Sequence, residues 1–507
     1  MTRTKKKTPS TKRTSRKKPA AKKTTAKKKS AAKKPAAKKK PVVKKKPAAK
    51  KKPAAKKPKA ASGKLLSPRL SPRKPVDWWF IFKFNSAEEP GDPKPAGMTG
   101  LFDIDGWQRP AYEKDGKKYS QHYIVASSDN PTLRKGKGIV GATRKDPLGA
   151  TFSQVYNGSC YYVIWNDQFY GDPRRNGNSP WGHSKGMLAW DDAGQGFVMQ
   201  VSTPSWPAAG SKEHPRRTDG NTLGFVTDDD IEVSQHFFAL RLSRADVKKV
   251  LLGMKNAGVV TAVKNKQVVK SGGPEDIQAL VGQLGSMPKG QPEVVNLRLS
   301  SGVRLISKPA HYAVPPWQLV SAQLKGVDLR VASWWASPKI YSTTRKSKLV
   351  KCWDDALGKP GAVEIATTGT WRPRRGLKIE RLGLEGGLGR NKNHAKFGVS
   401  TSHGRSYSIF GDMNQQGALS RGYARANQKC SSSQNGRGGM FYVMNDKQLF
   451  QSLSALLEGE SAPTEAPKKS AKKPTKKSAK KSAKKPAKKP AKKPAKKPAK
   501  KPAKKRR

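Results

Sequence analysis

The chain has 507 residues, with 105 Lys or Arg against 35 Asp or Glu and a net charge of +70. No run of 18 apolar residues occurs, so no segment reads as a membrane-spanning helix, and the charged N-terminus lacks the apolar core of a secretory signal. Three cysteines, Cys160, Cys352 and Cys430, form an odd and sparse set that argues against a disulfide framework and predicts small buried filler in a reducing compartment.

The charge is uneven. Residues 1–74 hold 32 basic residues and no acid, and residues 468–507 hold 22 and no acid. The span 75–467 therefore has 51 basic against 35 acidic residues, a balance of +16, and all twelve Trp and all twelve Tyr. Reiterated Lys, Ala and Pro units bury too little apolar surface to offset an ordering entropy of about 1–2 kcal/mol per residue, so both ends are expected to be disordered. The expected organisation is a basic tail at 1–74, one half of a folded region at 75–250, a second half at 251–460 and a basic tail at 461–507. Lys-rich arms displace counterions from a polyanion, so they point to double-stranded DNA bound without regard to sequence. The S-P-R-L-S-P-R-K run at 67–74 and the P-A-K-K repeats resemble linker-histone tails. Neither arm has the apolar anchors of a membrane-binding segment.

The folded region begins with D-W-W-F-I-F-K-F at 77–84, a strand with aromatics on both faces. Further strands are expected at 122–126, 161–165, 196–201 and 397–401. Helical spacing appears at 243–255, where Ser243 can cap and Val247, Val250, Leu251 and Met254 share a face, and at 447–457 behind Asp446. The mixture predicts an α/β or α+β fold.

Among only seven histidines, the pattern His-x-Lys followed by a small or aromatic residue and an apolar one occurs twice, in W-G-H-S-K-G-M-L-A-W at 181–190 and N-H-A-K-F-G-V-S at 393–400. In extended chain, residues i and i+2 share a side, so His183 joins Lys185 and His394 joins Lys396. Turns at 191–196 and 402–405 fold hairpins that bring 202–204 across from the first pair and G-D-M-N at 411–414 across from the second. Such matched clusters in different halves read as a duplicated half-site. Facing one another, two imidazoles over two ammonium groups suit a phosphodiester. One neutral histidine attacks phosphorus, the other protonates the leaving oxygen and later takes a proton from water. Lys185, Lys396, Asn414 and Ser202 are then candidates to hold the non-bridging oxygens, without a metal. A metal site is disfavoured: the cysteines are far apart and Asp228–Asp230 reads as a solvated turn. The remaining histidines, at 122, 214, 236, 311 and 403, read as structural or surface groups.

These segments resemble the deoxyribonuclease II family. The matching features are P-V-D-W-W-F at 75–80, W-N-D-Q at 165–168, G-H-S-K-G at 182–186, V-S-T-P-S-W-P at 201–207, H-A-K-F at 394–397, G-D-M-N at 411–414 and Arg421-Gly422. The resemblance implies a phospholipase D-like fold with two similar halves sharing one site, and metal-independent endonucleolytic cleavage of DNA at acid pH, leaving 3′-phosphate and 5′-hydroxyl ends. Carried over by motif, His183, Lys185, His394 and Lys396 are catalytic, with Asn414 and Ser202 at the phosphate and His183 the preferred nucleophile. Animal members are secreted or lysosomal and use disulfides. This chain departs in both respects, which directs expectation to an intracellular, DNA-associated setting: nucleus, nucleoid or packaged DNA. The competing readings are an inactive nuclease scaffold that compacts DNA and a phosphatidyl-transferring enzyme. The sequence leaves open whether one chain or a homodimer completes the pocket.

Overall fold

The computed structural model describes residues 66–85, 113–114, 117–118, 122–137, 140, 145–156, 158–167, 178–204, 233–266, 268–347, 352–374, 378–387, 389–419 and 429–464. The first large sheet contains β1 (Trp78–Lys83), β2 (Tyr123–Ser127), β3 (Asn130–Lys135), β4 (Tyr161–Trp165), β5 (Gly186–Trp190), β6 (Gly196–Val201), β7 (Gln235–Leu242) and β8 (Val269–Lys270). Its order is β8-β4-β5-β6-β7-β1-β2-β3, antiparallel throughout. The second contains β9 (Val295–Arg298), β10 (Arg304–Lys308), β11 (Leu329–Ala332), β12 (Val363–Ile365), β13 (Phe397–Ser400), β14 (Tyr407–Gly411) and β15 (Gly439–Asn445). Its order is β9-β10-β15-β14-β13-β11-β12, with only the β11–β12 edge parallel. The α-helices are α1 (Pro147–Tyr156), α2 (Arg244–Ala257), α3 (Glu275–Val281), α4 (Pro316–Gln323) and α5 (Lys447–Leu456).

The halves repeat one plan. A helix and a strand lead into His-x-Lys, then a hairpin, a further strand and a helix: α1, β4, β5–β6, β7, α2 in the first half and α4, β11, β13–β14, β15, α5 in the second. Register gives residue-level counterparts. Trp165 faces Gly186 as Ala332 faces Phe397, so Asp167 and Trp334, two positions on, are counterparts. Gln200 faces Gly186 as Phe410 faces Phe397, so Ser202 and Asp412 are counterparts as well.

Because β1 carries aromatics on both faces, each face finds a different partner. Trp79 Nε1 donates to Thr151 Oγ1 of α1 at 2.9 Å, while Phe80 stacks on Phe410 of the second sheet with ring centroids 4.8 Å apart. Phe238 of β7 also stacks on Phe410, at 4.4 Å, and Phe82 meets Phe397 edge-on at 5.6 Å. One core therefore runs through both sheets. Helix α2 follows its expected face: Val247, Val250, Leu251 and Met254 are buried, and Ser243 caps it by accepting from Asp246 N. Asp446 caps α5 through Leu449 N at 2.9 Å.

Two expectations are corrected. Residues 66–74, read as tail, fold onto α1 together with Pro75: Arg69–Ser71 pairs with Lys74–Pro75, Leu66 is buried, and Gln154 Nε2 donates to Ser67 O at 2.7 Å. A few apolar residues and satisfied backbone groups suffice to dock a segment whose composition is otherwise that of a solvated arm. Cys352 and Cys430 form a disulfide, with Cα atoms 5.1 Å apart, whereas Cys160 is a buried thiol whose Sγ donates to Gln154 O at 3.5 Å. Their separation of 78 positions hid that pairing. Asp228–Asp230, His214, Arg421 and Gly422 lie outside the described residues.

Candidate active site

Each His-x-Lys segment ends where its hairpin begins, and each is docked by the opposite half. The backbone N–H of His183 donates to Gly438 O, just before β15, and that of His394 donates to Ser234 O, just before β7, both at 2.8 Å. The exchange is reciprocal, so neither half can set its histidine alone. Gly438 is required there by close approach, since a Cβ would lie 2.0 Å from Ala257 O. All four site side chains, His183, Lys185, His394 and Lys396, are buried.

The ring contacts fix which nitrogen faces the reaction. His183 Nδ1 lies 2.5 Å from the Asp412 carbonyl oxygen and donates to it, which leaves Nε2 with its lone pair. His394 Nδ1 lies 3.3 Å from Gln235 Oε1 and does likewise. Trp334 stands edge-on to His394 at a centroid separation of 4.9 Å. On the first side, Lys185 Nζ bonds Asp167 Oδ1, Arg437 donates to Asp167 Oδ2 at 2.8 Å, and His183 Nε2 is 3.9 Å from the same oxygen. Arg437 also donates to Trp181 O at 2.9 Å and Gly182 O at 3.0 Å, so a residue of the second half braces the first. On the second side, Lys396 Nζ donates to His394 O, and Lys396 N donates to His236 Nδ1 at 3.1 Å.

Electrostatics bind these groups into one cluster. Burial, then Lys185, pushes His183 well below the usual imidazole range, while Asp167 opposes the shift. Burial pushes His394 down as well, followed by Lys396, Lys185 and His183, so the second imidazole feels the charges of the first pair. Burial alone would raise Asp167, but Lys185, His183 and Arg437 outweigh it and hold the carboxyl well below its usual range. Asp412 goes the other way: burial pushes it up to about 7. Among the described residues, Gln235 Nε2 and Asn414 Oδ1 are buried without a hydrogen-bond partner, a costly state that native folds tend to keep where a ligand will supply the bond.

The two His-x-Lys pairs thus meet, within one chain. Ser202, expected at the phosphate, accepts at its Oγ from His236 N at 2.8 Å and donates to Gln235 Oε1 at 2.5 Å, so it orients the glutamine that holds His394. Asn414 donates to Gln416 Oε1 at 2.9 Å and takes its backbone bond to Gln434. Asp167, Arg437, Gln235, Asp412 and Trp334 were not singled out from the sequence. Asp167 and Asp412 sit inside quoted motifs, W-N-D-Q and G-D-M-N, and could have been found there, whereas Gln235, Trp334 and Arg437 carry no local signal. Among the described residues, no group of three or more His, Cys, Asp or Glu is placed to hold a metal ion.

The family profile of deoxyribonuclease II matches residues 106–459. A putative deoxyribonuclease-2 of Burkholderia thailandensis is 22% identical over 403 residues, covering 76% of this chain and 91% of that protein. Deoxyribonuclease-2-alpha of Sus scrofa is 29% identical over 161 residues, covering 30% of this chain and 36% of that protein. Among solved structures, yeast tyrosyl-DNA phosphodiesterase matches over 57% of this chain and 83% of that one, at 8% identity and a TM-score of 0.26, a likeness too distant to bear on the fold. With the family profile spanning most of the folded region and both His-x-Lys segments, the chain belongs to the deoxyribonuclease II family and is a DNA-hydrolysing enzyme.

Proposed function

We propose that this deoxyribonuclease is a metal-independent endonuclease working through a phosphohistidine. The observation that carries the reading is the reciprocal docking of His183 and His394 on opposite halves, at 2.8 Å each, with Nδ1 of both rings tied down and the charge of one felt by the other. His183 Nε2 attacks phosphorus with its lone pair and the bond to the 5′ oxygen breaks. The departing oxygen takes the proton of His394 Nε2, giving a 5′-hydroxyl and a phosphoryl group on His183. Water then attacks phosphorus, yields its proton to His394, and the phosphorus–nitrogen bond returns its electrons to His183, leaving a 3′-phosphate. Lys185 and Lys396, with Asn414, stabilise charge on the non-bridging oxygens, and Arg437 and Asp167 keep Lys185 in place.

Burial of both histidines supports acid activity. With their values below the ordinary imidazole range, both rings are neutral at neutral pH, and the donor form of His394 grows as pH falls. The basic tails, which hold 54 of the 105 Lys and Arg, support tethering to double-stranded DNA by counterion release. Their charge supports a DNA-associated location, and the Cys352–Cys430 bond favours a setting outside the reducing cytosol and nucleus.

The test is plasmid cleavage in excess chelator across pH, comparing wild type with His183→Ala and His394→Ala. Wild type is expected to nick with an optimum below pH ~6.5, while each variant loses roughly 10²- to 10⁴-fold. Cleavage that persists in both variants, or that stops in chelator, overturns the reading.

A further inference from the structure

Two lysines outside every quoted motif role occupy matching places in the two halves. Lys83 ends β1 and faces Gln235, the first residue of β7. Lys308 ends β10 and faces Gly439, the first residue of β15. Both are fully buried. Lys83 Nζ donates to Phe84 O at 3.1 Å and Val233 O at 2.9 Å. Lys308 Nζ donates to Pro309 O at 3.3 Å, and to Asn435 O and Arg437 O at 2.8 Å each.

The residues that follow Val233 and Arg437 are Ser234 and Gly438, and their carbonyls receive the backbone N–H groups of His394 and His183. Each ammonium therefore grips the peptide unit immediately before a histidine's docking point. Burying an ammonium costs several kcal/mol, and a methionine would fill the same space at less cost. What lysine adds is a donor to several carbonyls at once, which fixes the direction of the chain through the loop. The same expense in both halves, at the same strand end, argues for a role in the site they share.

We propose that Lys83 and Lys308 are positioning residues acting across the halves: Lys308, of the second half, sets His183, and Lys83, of the first, sets His394. This rests on the catalytic reading of the two histidines. Burial also pushes Lys308 down to about 7. Below that pH it has three N–H groups for three carbonyls; above it, one carbonyl faces a lone pair, so the grip on the His183 loop is firmest in acid.

The test uses full-length Lys308→Met and Lys83→Met beside His183→Ala and His394→Ala. Each is assayed on plasmid DNA and on a thymidine 3′-(4-nitrophenyl) phosphodiester, whose phenolate leaves without needing a proton. Release of nitrophenolate in the first turnover spares any defect in the general acid and exposes any defect in the nucleophile, whereas later turnovers also need His394 as the base. Lys308→Met is expected to copy His183→Ala, losing plasmid cleavage and the first-turnover release of nitrophenolate alike, and Lys83→Met to copy His394→Ala, losing plasmid cleavage while keeping that first-turnover release. A loss of about tenfold or more in kcat with KM little changed is expected, since displacement of a catalytic group by about 1 Å can cost ~10²-fold. Should a methionine variant fail to melt cooperatively, Lys308→Gln and Lys83→Gln, which retain a donor, are read in the same way. Equal losses on both substrates by both lysine variants, or none, overturn the positioning proposal while inactive histidine variants leave the catalytic reading intact. Active histidine variants overturn the catalytic reading itself.

Discussion

The two half-sites share a backbone and differ in what stands beside the imidazole. In both, the histidine N–H reaches into the other half at 2.8 Å, and in both a polar group after the hairpin accepts from the second residue of the next strand: Ser202 from His236 N at 2.8 Å, Asp412 from Met440 N at 3.2 Å. At the position two beyond the strand that leads in, however, the first half has Asp167 and the second has Trp334. A carboxylate 3.9 Å from His183 Nε2 stabilises positive charge there, which suits a ring that acquires a phosphoryl group and becomes cationic. An indole edge-on to His394 at 4.9 Å supplies a dry wall and no charge, which suits a ring that must give its proton away. On the proposed mechanism, the residue at this position is one of the differences that divides the two roles between otherwise matching halves.

Removing the carboxylate should break the comparison most severely. Asp167→Asn leaves Lys185 and Arg437 buried together without their shared anion, and loss of one partner of a buried ion pair costs about 3–5 kcal/mol. The melting temperature should fall by several degrees. The pH–rate limb governed by His183 should move to lower pH, because Asp167 is the group that raises it. Unchanged melting and an unmoved limb would show that the carboxylate is incidental.

The Ser202 and Asp412 counterparts differ in titration. Burial raises Asp412 to about 7, so its protonated form is the one the fold favours. Stability from this group is complete below the unfolded carboxyl value near 4 and is lost as pH rises through about 7. Asp412→Asn mimics the protonated state, so wild type should lose stability relative to the variant between pH ~4 and ~7, by on the order of 3 kcal/mol. The histidines, whose lowered values act in the opposite sense, are common to both proteins and cancel. Ser202→Ala should show no such pH-dependent difference. Denaturant melts at four pH values decide it, and a wild-type minus Asn gap that stays constant with pH refutes the assignment.

How far the sequence revealed this depended on whether the signal was local. Period and caps were enough for β1, α2 and α5, because aromatic alternation at 77–84, Ser243 and Asp446 lie within the elements they define. The His-x-Lys pairs were legible because the spacing repeats. What joins them was not: the Gly438 and Ser234 carbonyls, Arg437 and Gln235 stand 159 to 270 positions from the residues they hold, and only the folded chain brings them near. Ser202 was legible from its place beside a hairpin, but its bonds to Gln235 and His236 were not. The Cys352–Cys430 pair was likewise hidden by its 78-residue separation.

The smallest effect tests the other side of the comparison. Trp334 is partly exposed and meets His394 through one edge-on contact, a geometry worth about 0.5–1.5 kcal/mol. Trp334→Ala opens a space that water can enter. Burial is the leading cause of the depressed His394 value, so hydration should let that value rise toward the ordinary imidazole range. The sign follows directly: the donor form of His394 would persist to higher pH, and the basic limb of the kcat/KM profile should shift toward neutrality. The maximal rate should fall by no more than about tenfold, the equivalent of the lost contact. Trp334→Phe, which keeps the wall, should leave the limb near its wild-type position. A basic limb that stays put in Trp334→Ala would mean that the indole does not set the proton affinity of His394, and that the dryness of the second half-site comes from the aromatic seam beneath it.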